Sequence, residues 1–348
     1  VKSVSFPPTI RDVAKHAHVS PATVSRVLNG NNGVRGPARM SVEKAIAELG
    51  FVPNLNARRL SLGKTFTIGV ISPYFIQHSF VERLRGIESV IGKTEYDLIV
   101  FNVENVEQRD RYFANVARRE RVDGLIIITL TPNTQHVEQF IRSKVPIVLV
   151  DAQHAKFTSI CEDSIMGGWL ATQHLISLGH RKIGFISDKF IDPFTGKSRG
   201  KLRYEGYEKA MQSAGLMIPS NYVMTGLSSR ADARSMARTI LTLPDRPTAI
   251  FAFSDIQAIG VMEAARELNL RVPHDLSVVG YDDIEMAEVM KLTTIHQSLF
   301  ESGVLGAQKL LEQIEVKQFS NQPNMNTGSL QQVNIELRVR ESTIAPSI

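Results

Sequence analysis

One cysteine in 348 residues, Cys161, leaves no partner for an intrachain disulfide and excludes a small stapled scaffold. No stretch reaches the roughly 18 consecutive apolar residues of a membrane-crossing helix. The longest runs, such as 124–130, have the length of strands. No basic-then-apolar leader opens the chain at Val1, so a reducing cytoplasm with no membrane partner is the expected setting. GxGxxG, P-loop, HExxH, GxSxG and CxxC patterns are missing, and with them the nucleotide cradle, zinc site and activated nucleophile that they build. No catalytic residue, metal or cofactor is expected, and the chain does not read as an enzyme. What remains is ordinary globular material. With 43% hydrophobic and 22% charged residues it is too apolar for wholesale disorder, and its length suits two or three domains.

The charge is uneven. Residues 1–65 hold ten lysines and arginines against Asp12, Glu43 and Glu48, a net +7, whereas the rest of the chain holds 30 basic and 32 acidic residues, a net −2. Concentrated positive charge attracts polyanions and releases their counterions. On charge alone, a nucleic acid and a solvated basic face stay equally open.

From residue 66 onward, apolar runs (66–72, 96–102, 124–130, 146–151, 182–187, 249–254, 276–282) alternate with helix-like stretches (80–93, 107–120, 134–143, 164–178, 203–215, 230–243, 255–269). Strands without polar alternation, separated by helices, belong to parallel sheets covered on both faces. This body exceeds one ordinary doubly wound sheet. An α/β architecture of two lobes, each with a parallel sheet, is expected, with ligand bound beyond the carboxyl ends of the strands. The polar stretch 320–328 reads as a loop.

Up to about Phe51 the pattern is all helical. Thr9 precedes Ile10, Val13, Ala14 and Ala17 at helical spacing. Ser20 and Pro21 suit the cap and first position of a second helix with an inner stripe of Val24, Val27 and Leu28, and 37–49 reads as a third, ended by Gly50. Three short helices with a tight turn between the first two describe either a plain bundle or a helix-turn-helix, whose second helix lies in the DNA major groove.

The segments TIRDVAKHAHVSPATVSRVLNGNNGV (9–34) and AIAELGFVPNLNARRL (45–60) resemble the DNA-binding headpiece and hinge of the lactose repressor family (LacI/GalR). The likeness continues through IGVISP (68–73), RVDGLIII (121–128), LISLGHRKIGFI (175–186), RYEGYEKAM (203–211), AIFAFSDIQAIG (249–260), VPHDLSVVGYDD (272–283) and LTTIHQ (292–297), and so covers essentially the whole chain. It implies a small all-α helix-turn-helix headpiece (1–53), a hinge helix and linker (54–65), and a two-lobed, periplasmic-binding-protein-like effector domain (66–345). The implied N-lobe is about 66–162 and 298–324, and the C-lobe about 163–297 and 325–345. The implied function is a ligand-responsive transcriptional regulator, in the sense of a repressor, that binds a palindromic double-stranded operator as a homodimer. No leucine heptads follow Ile335, so the extra helix that tetramerises some relatives is not expected.

Family positions carry over one by one. Pro21, Ala22 and Arg26 stand where recognition-helix side chains approach base edges. Arg26 can donate two bonds to guanine O6 and N7, worth about 1–3 kcal/mol of discrimination, or else meet a phosphate. Thr23, Ser25, Asn29 and Arg39 suit phosphate contacts, which orient without reading sequence, and Thr9 and Ser20 are also expected at the DNA. Segment 54–62 matches the hinge helix, too short to be stable alone and so expected to order when paired on DNA. Leu60 would be its minor-groove wedge, Ala57 would allow close approach of the paired helices, Arg58 and Arg59 would meet phosphates, and Asn54 is also expected at the DNA.

In the body, Ser79, Phe80, Asp151, Phe194, Arg203, Ser254, Asp282 and Gln297 match positions around the interlobe cleft. Asp151 and Asp282 end strands, Arg203 opens a helix and Gln297 closes LTTIHQ. Carboxylates and a guanidinium fork suit a polyhydroxylated ligand, so a sugar is the expected effector. Strand-end capping or interlobe pairing is the other reading of the two aspartates. Ser254 departs from the asparagine usual in the family, and Arg35-Gly36-Pro37 from its Ser-rich cap. A solute-binding protein without a DNA role would share the body but have no use for 9–60, and a purine- or phosphosugar-responsive regulator would differ only in ligand. His174 and His180 read as structural, and Trp169 and Cys161 as packing.

Overall fold

A computed structural model of the protein describes residues 8–28, 33–34, 36–52, 63–73, 75, 77–118, 120–192, 196–197, 199–319 and 328–347. They fall into two compact units, Val1–Thr65 and Phe66–Ile348.

In the first unit, α1 (Ile10–His16), α2 (Pro21–Leu28) and α3 (Gly36–Leu49) close around Val13, Ala14, Ala17, Val24, Val42 and Ala45. The Asp12 carboxylate starts α1 by accepting from both the N–H and the hydroxyl of Thr9, bonds that hold it below the ordinary carboxylate range. His18 makes the tight turn at a left-handed φ of 54°, which lets the Val19 N–H reach the Ala14 carbonyl. Ser20 caps α2 by accepting from the Thr23 N–H at 3.1 Å, and Pro21 follows where no donor is needed. The Ser41 hydroxyl donates to the Ala17 carbonyl at 3.0 Å and His16 meets Glu48 at 2.7 Å, so α3 is tied to α1. α3 opens on Gly36 and Pro37 with no acid in its first turn.

The second unit runs β1 (Thr67–Pro73), α4 (His78–Ile91), β2 (Asp97–Val103), α5 (Val106–Val116), β3 (Gly124–Ile128), α6 (Thr134–Ser143), β4 (Ile147–Val150) and β5 (Thr158–Cys161). It continues with α7 (Ser164–Ser177), β6 (Ile183–Asp188), the hairpin β7 (Ile191–Asp192) and β8 (Gly196–Lys197), α8 (Arg199–Ser213) and β9 (Val223–Gly226). Then come α9 (Arg230–Leu241), β10 (Ala249–Ala252), α10 (Asp255–Glu267), β11 (Ser277–Asp282), α11 (Glu285–Val289) and β12 (Thr293–His296). α12 (Leu299–Phe319), β13 (Leu330–Gln332) and β14 (Glu336–Arg338) complete it.

Two six-stranded sheets result, ordered β13-β5-β4-β3-β1-β2 and β14-β12-β11-β10-β6-β9. All pairings within them are parallel except β12 with β14, so the second sheet is mixed at its edge. The central strands β3 and β4 are buried at every residue, as parallel strands between helical layers must be. The chain passes between the lobes three times: after β5, after β12, and between β13 and β14. The last passage comes later than the expected boundary near 325, because Leu330–Gln332 pairs with β5 in the first sheet. That triplet, LQQ, has no strand pattern of its own and is defined by the edge that it completes.

Both lobes have close helix crossings that hold an arginine backbone in place. A Cβ at Gly168 of α7 would lie 2.1 Å from the Arg203 carbonyl of α8, and one at Gly303 of α12 would lie 2.0 Å from the Arg83 carbonyl of α4. Neither clash can be relieved by a rotamer change. Gly168→Ala and Gly303→Ala should each destabilise the body by about 1–3 kcal/mol or more, measured by urea unfolding. A cost near zero would mean that the helices separate freely.

His180 bonds Thr248 through Nδ1 (2.8 Å) and the Ile344 carbonyl through Nε2 (2.9 Å), while His174 meets Thr343 at 2.9 Å. Both pin the C-terminal strap, and burial lowers the pKa of both. Trp169 is half-buried and packs against the C-lobe core. Among the described residues no group of side chains could hold a metal, and no helix is long and apolar enough to cross a membrane.

Candidate DNA-reading helix and ligand cleft

Turning Val24, Val27 and Leu28 inward leaves Pro21, Ala22 and Arg26 exposed along the other face of α2, with Arg26 its one charged side chain. Thr23 and Ser25 are half-buried beside them, and the Thr23 hydroxyl is engaged with that of Ser20 at 2.9 Å. Thr9 is exposed at the start of α1, and Arg39 is half-buried in the first turn of α3. Asn29, Asn54, Ala57, Arg58 and Leu60, with the whole of 54–62, lie outside the described residues.

The lobes of the body face each other across a cavity of about 590 Å³. Part of its polar lining comes from the carboxyl ends of strands: Ser72 of β1, Thr129 after β3, Asp151 after β4, Asp282 of β11 and Gln297 after β12. Seven of the eight residues expected there line it, namely Ser79, Phe80, Asp151, Arg203, Ser254, Asp282 and Gln297. The eighth, Phe194, lies outside the described residues.

Arg203 does not open its helix. α8 begins at Arg199, so Arg203 sits one turn in, and the two arginines, four apart, share a face and line the cavity together. Arg83, Thr129, Arg199 and Glu162 are components that the sequence reading missed. Of these, only the Arg199–Arg203 spacing was a usable signal.

The geometry is a network of charge. The Asp151 carboxylate meets Arg83 of its own lobe at 3.4 Å and Arg199 of the other lobe at 3.1 Å, and accepts from the Thr129 hydroxyl at 2.9 Å. Burial pushes its pKa up, but the guanidiniums of Arg83, Arg199 and Arg203 more than offset this and hold it below the ordinary value. The second reading of the aspartates therefore applies as well: Asp151 pairs across the lobes.

Arg203 is buried, with its guanidinium 3.5 Å from the Tyr281 ring centroid and 4.4 Å from that of Phe253. It meets Glu162 at 3.5 Å and Asp282 at 3.9 Å. Asp282 also accepts from the Gln297 amide, and Arg83 donates to Gln297 Oε1 at 3.1 Å. Burial dominates at Asp282, whose pKa is pushed up to about 6 against the pull of Arg203, Arg83 and Gln297.

In the cavity lining, Nε of Arg83, Nε of Arg203 and Oδ1 of Asp151 are buried without a hydrogen-bond partner. Such unmet capacity is uncommon in a folded interior and marks polar groups that a ligand can satisfy. Ser254 accepts from the Gln257 N–H at 3.3 Å and so caps α10. Phe80 packs into the N-lobe core 5.7 Å from the half-exposed Phe75.

The raised Asp282 has a measurable consequence. Titrating near 6 rather than at 3.8, it keeps a proton between about pH 4 and pH 6 that the unfolded chain has released. The folded state then binds more protons, so the contribution of this group to stability falls as pH rises through that window. Asp255, raised by burial and then by Asp282, acts in the same direction. Asp282→Asn should flatten the fall by on the order of 2 kcal/mol in chemical denaturation followed by Trp169 fluorescence. An unchanged slope would mean that Asp282 is ionised throughout.

A basic helix-turn-helix followed in the chain by a two-lobed sheet domain with a polar cleft defines a DNA-binding regulator under ligand control. Residues 9–54 match the model of bacterial regulatory proteins of the lacI family, and 172–343 that of a periplasmic binding protein-like domain. The chain is 37% identical over 330 residues to the ribose operon repressor of Escherichia coli (strain K12), covering 93% of this chain and 96% of that one. Its fold matches the lac repressor dimer bound to operator and the anti-inducer ONPF with a TM-score of 0.82 at 28% identity, over 98% of this chain and 100% of that one. It also matches a LacI family transcriptional regulator from Enterococcus faecium with bound ribose, with a TM-score of 0.69 at 26% identity, over 80% and 99% of the two chains. The chain belongs to the lacI family of bacterial regulatory proteins. It is a DNA-binding transcriptional regulator and not an enzyme.

Proposed function

We propose that this regulator is a repressor that works as a homodimer in the cytoplasm and releases or grips a palindromic operator according to a free monosaccharide in its cleft. Pro21, Ala22 and Arg26 read bases. Thr9, Ser20, Thr23, Ser25, Asn29 and Arg39 hold phosphates, and Asn54, Ala57, Arg58 and Leu60 form the hinge on the minor groove. Asp151, Arg203, Asp282 and Gln297 bind the sugar hydroxyls, with Ser79, Phe80, Phe194 and Ser254 shaping the pocket.

One observation carries the ligand assignment. Carboxylates and guanidiniums from both lobes converge on one cleft with donors and acceptors still unmet, the mixture that a ring of hydroxyls, each giving and accepting, requires. The ribose named for two of the similar proteins makes a pentose the first to try. Ligand held between the lobes changes their closure and thereby hinge order; a coupling of about 1–3 kcal/mol suffices for a switch.

The test is a thermal-shift series with D-ribose, hexoses, sugar phosphates and hypoxanthine. A ligand at about 100 times its Kd adds about 2.7 kcal/mol and several degrees to Tm. The expected result is a shift with a free monosaccharide that Asp151→Asn abolishes. A response confined to hypoxanthine or to sugar phosphates would overturn the free-sugar reading. Failure to retain any duplex in a genome-wide selection would overturn the operator reading.

A further inference from the structure

Asp282 stands on backbone that its place in the ligand site does not explain. Asp282 and Asp283 both hold positive φ, 119° and 58°, a region costly for side chains other than glycine. Two such residues in succession persist only where the surroundings over-determine them. The next residue, Ile284, donates its N–H to Asp255 at 2.9 Å, and Asp255 takes the Thr294 hydroxyl on its other oxygen at 2.5 Å.

Asp283 accepts from Arg340 at 2.7 Å on one oxygen and meets His296 Nδ1 at 3.1 Å on the other. Arg340 is fixed in turn, its N–H on the Thr293 hydroxyl and its guanidinium on the Leu292 carbonyl, both at 2.9 Å. His296 is the last residue of β12, in register with Asp282 on one side and with Glu336 on the other. Gln297 follows and bonds Asp282, and Ser298, also at positive φ (49°), donates to the Asn334 carbonyl at 2.9 Å. The ligand loop and the end of β12, where the second interlobe crossing starts, therefore meet at the Asp283 carboxylate, and Ser298 joins that crossing to the third.

We propose that Asp283, acting through Arg340 and His296, is a positioning residue that sets the Asp282 carboxylate against the ligand and ties it to the second interlobe crossing and, through Ser298, to the third. Movement imposed at Asp282 is carried through this clamp into the interlobe crossings. The clamp itself depends only on the observed contacts; the ligand arm of its test rests on the sugar reading above.

The test uses the full-length protein with Asp283→Gly, which accepts positive φ without strain but loses the clamp, and Asp283→Asn, which tolerates that backbone and keeps an acceptor. Hydrogen exchange of the unliganded protein should speed up by about tenfold or more at 282–284 and at 297–299 in Asp283→Gly, stay unchanged in β1–β4, and be partly restored in Asp283→Asn. D-ribose affinity should fall by about 10–100-fold in the glycine variant and recover in part with asparagine. Parental protection at 297–299 in Asp283→Gly overturns the proposal, as does acceleration spread evenly over the body or ribose affinity unchanged from the parent. If ribose does not bind the parent protein, the pentose choice fails and the exchange pattern alone decides the clamp.

Discussion

Arg203→Met should lower the unfolding free energy of the body by about 3–5 kcal/mol, a large share of the roughly 5–15 kcal/mol that a domain has. Methionine fills much of the space between the Tyr281 and Phe253 rings, so little of the loss comes from packing. The damage is electrostatic: Glu162, with 2% of its side chain exposed, loses its 3.5 Å cation, and Asp282 loses its 3.9 Å partner. A buried carboxylate without a counter-charge either carries its full desolvation cost or takes up a proton. Adding Glu162→Gln should recover more than about 1 kcal/mol, the mark of contacting residues in a double-mutant cycle. Arg203→Lys should not rescue, because an ammonium cannot stack on Tyr281 while serving two separate carboxylates. Trp169, the one tryptophan, sits next to Gly168 on α7 and reports the C-lobe transition directly. A loss under about 1 kcal/mol would mean that solvent screens the Arg203 site.

Operator affinity should fall by about 10³–10⁵ between 50 and 200 mM salt, the loss expected when six to ten phosphates are neutralised. The net +7 of residues 1–65 supplies that charge, and two copies supply it twice. The remainder of the chain, at net −2, has no electrostatic reason to approach DNA. The body alone should therefore show no salt-dependent binding in fluorescence anisotropy with a labelled duplex. A slope near zero for the whole protein would contradict phosphate-dominated docking.

Much of this architecture was legible because burial on both faces of a parallel sheet writes itself into composition. β3 reads GLIII and β4 reads IVLV, and each is buried throughout. Edge strands escape that rule: β13 and β14 expose most of their side chains and exist through their neighbours. Asp151, Arg203, Asp282 and Gln297 were recoverable from a resemblance. Arg83 was not, since within VERLRG it reads as an exposed helical charge; it is 4% exposed because Asp151 lies beside it in space and far away in sequence. α8 starts at Arg199, four residues before the expected 203; Gly200, a poor helix former, masks that first turn in the sequence, and Arg199 with it.

Because β13 closes the edge of one sheet and β14 the edge of the other, the short segment 330–338 completes both halves at once. During synthesis neither half can finish its β-structure until the chain has been built through residue 338. A message cut short just before residue 330 would release a product with β5 and β12 both bare along one side. Open strand edges of that kind invite pairing between chains. Quality control at the ribosome would therefore meet a sticky fragment in place of a half-active regulator.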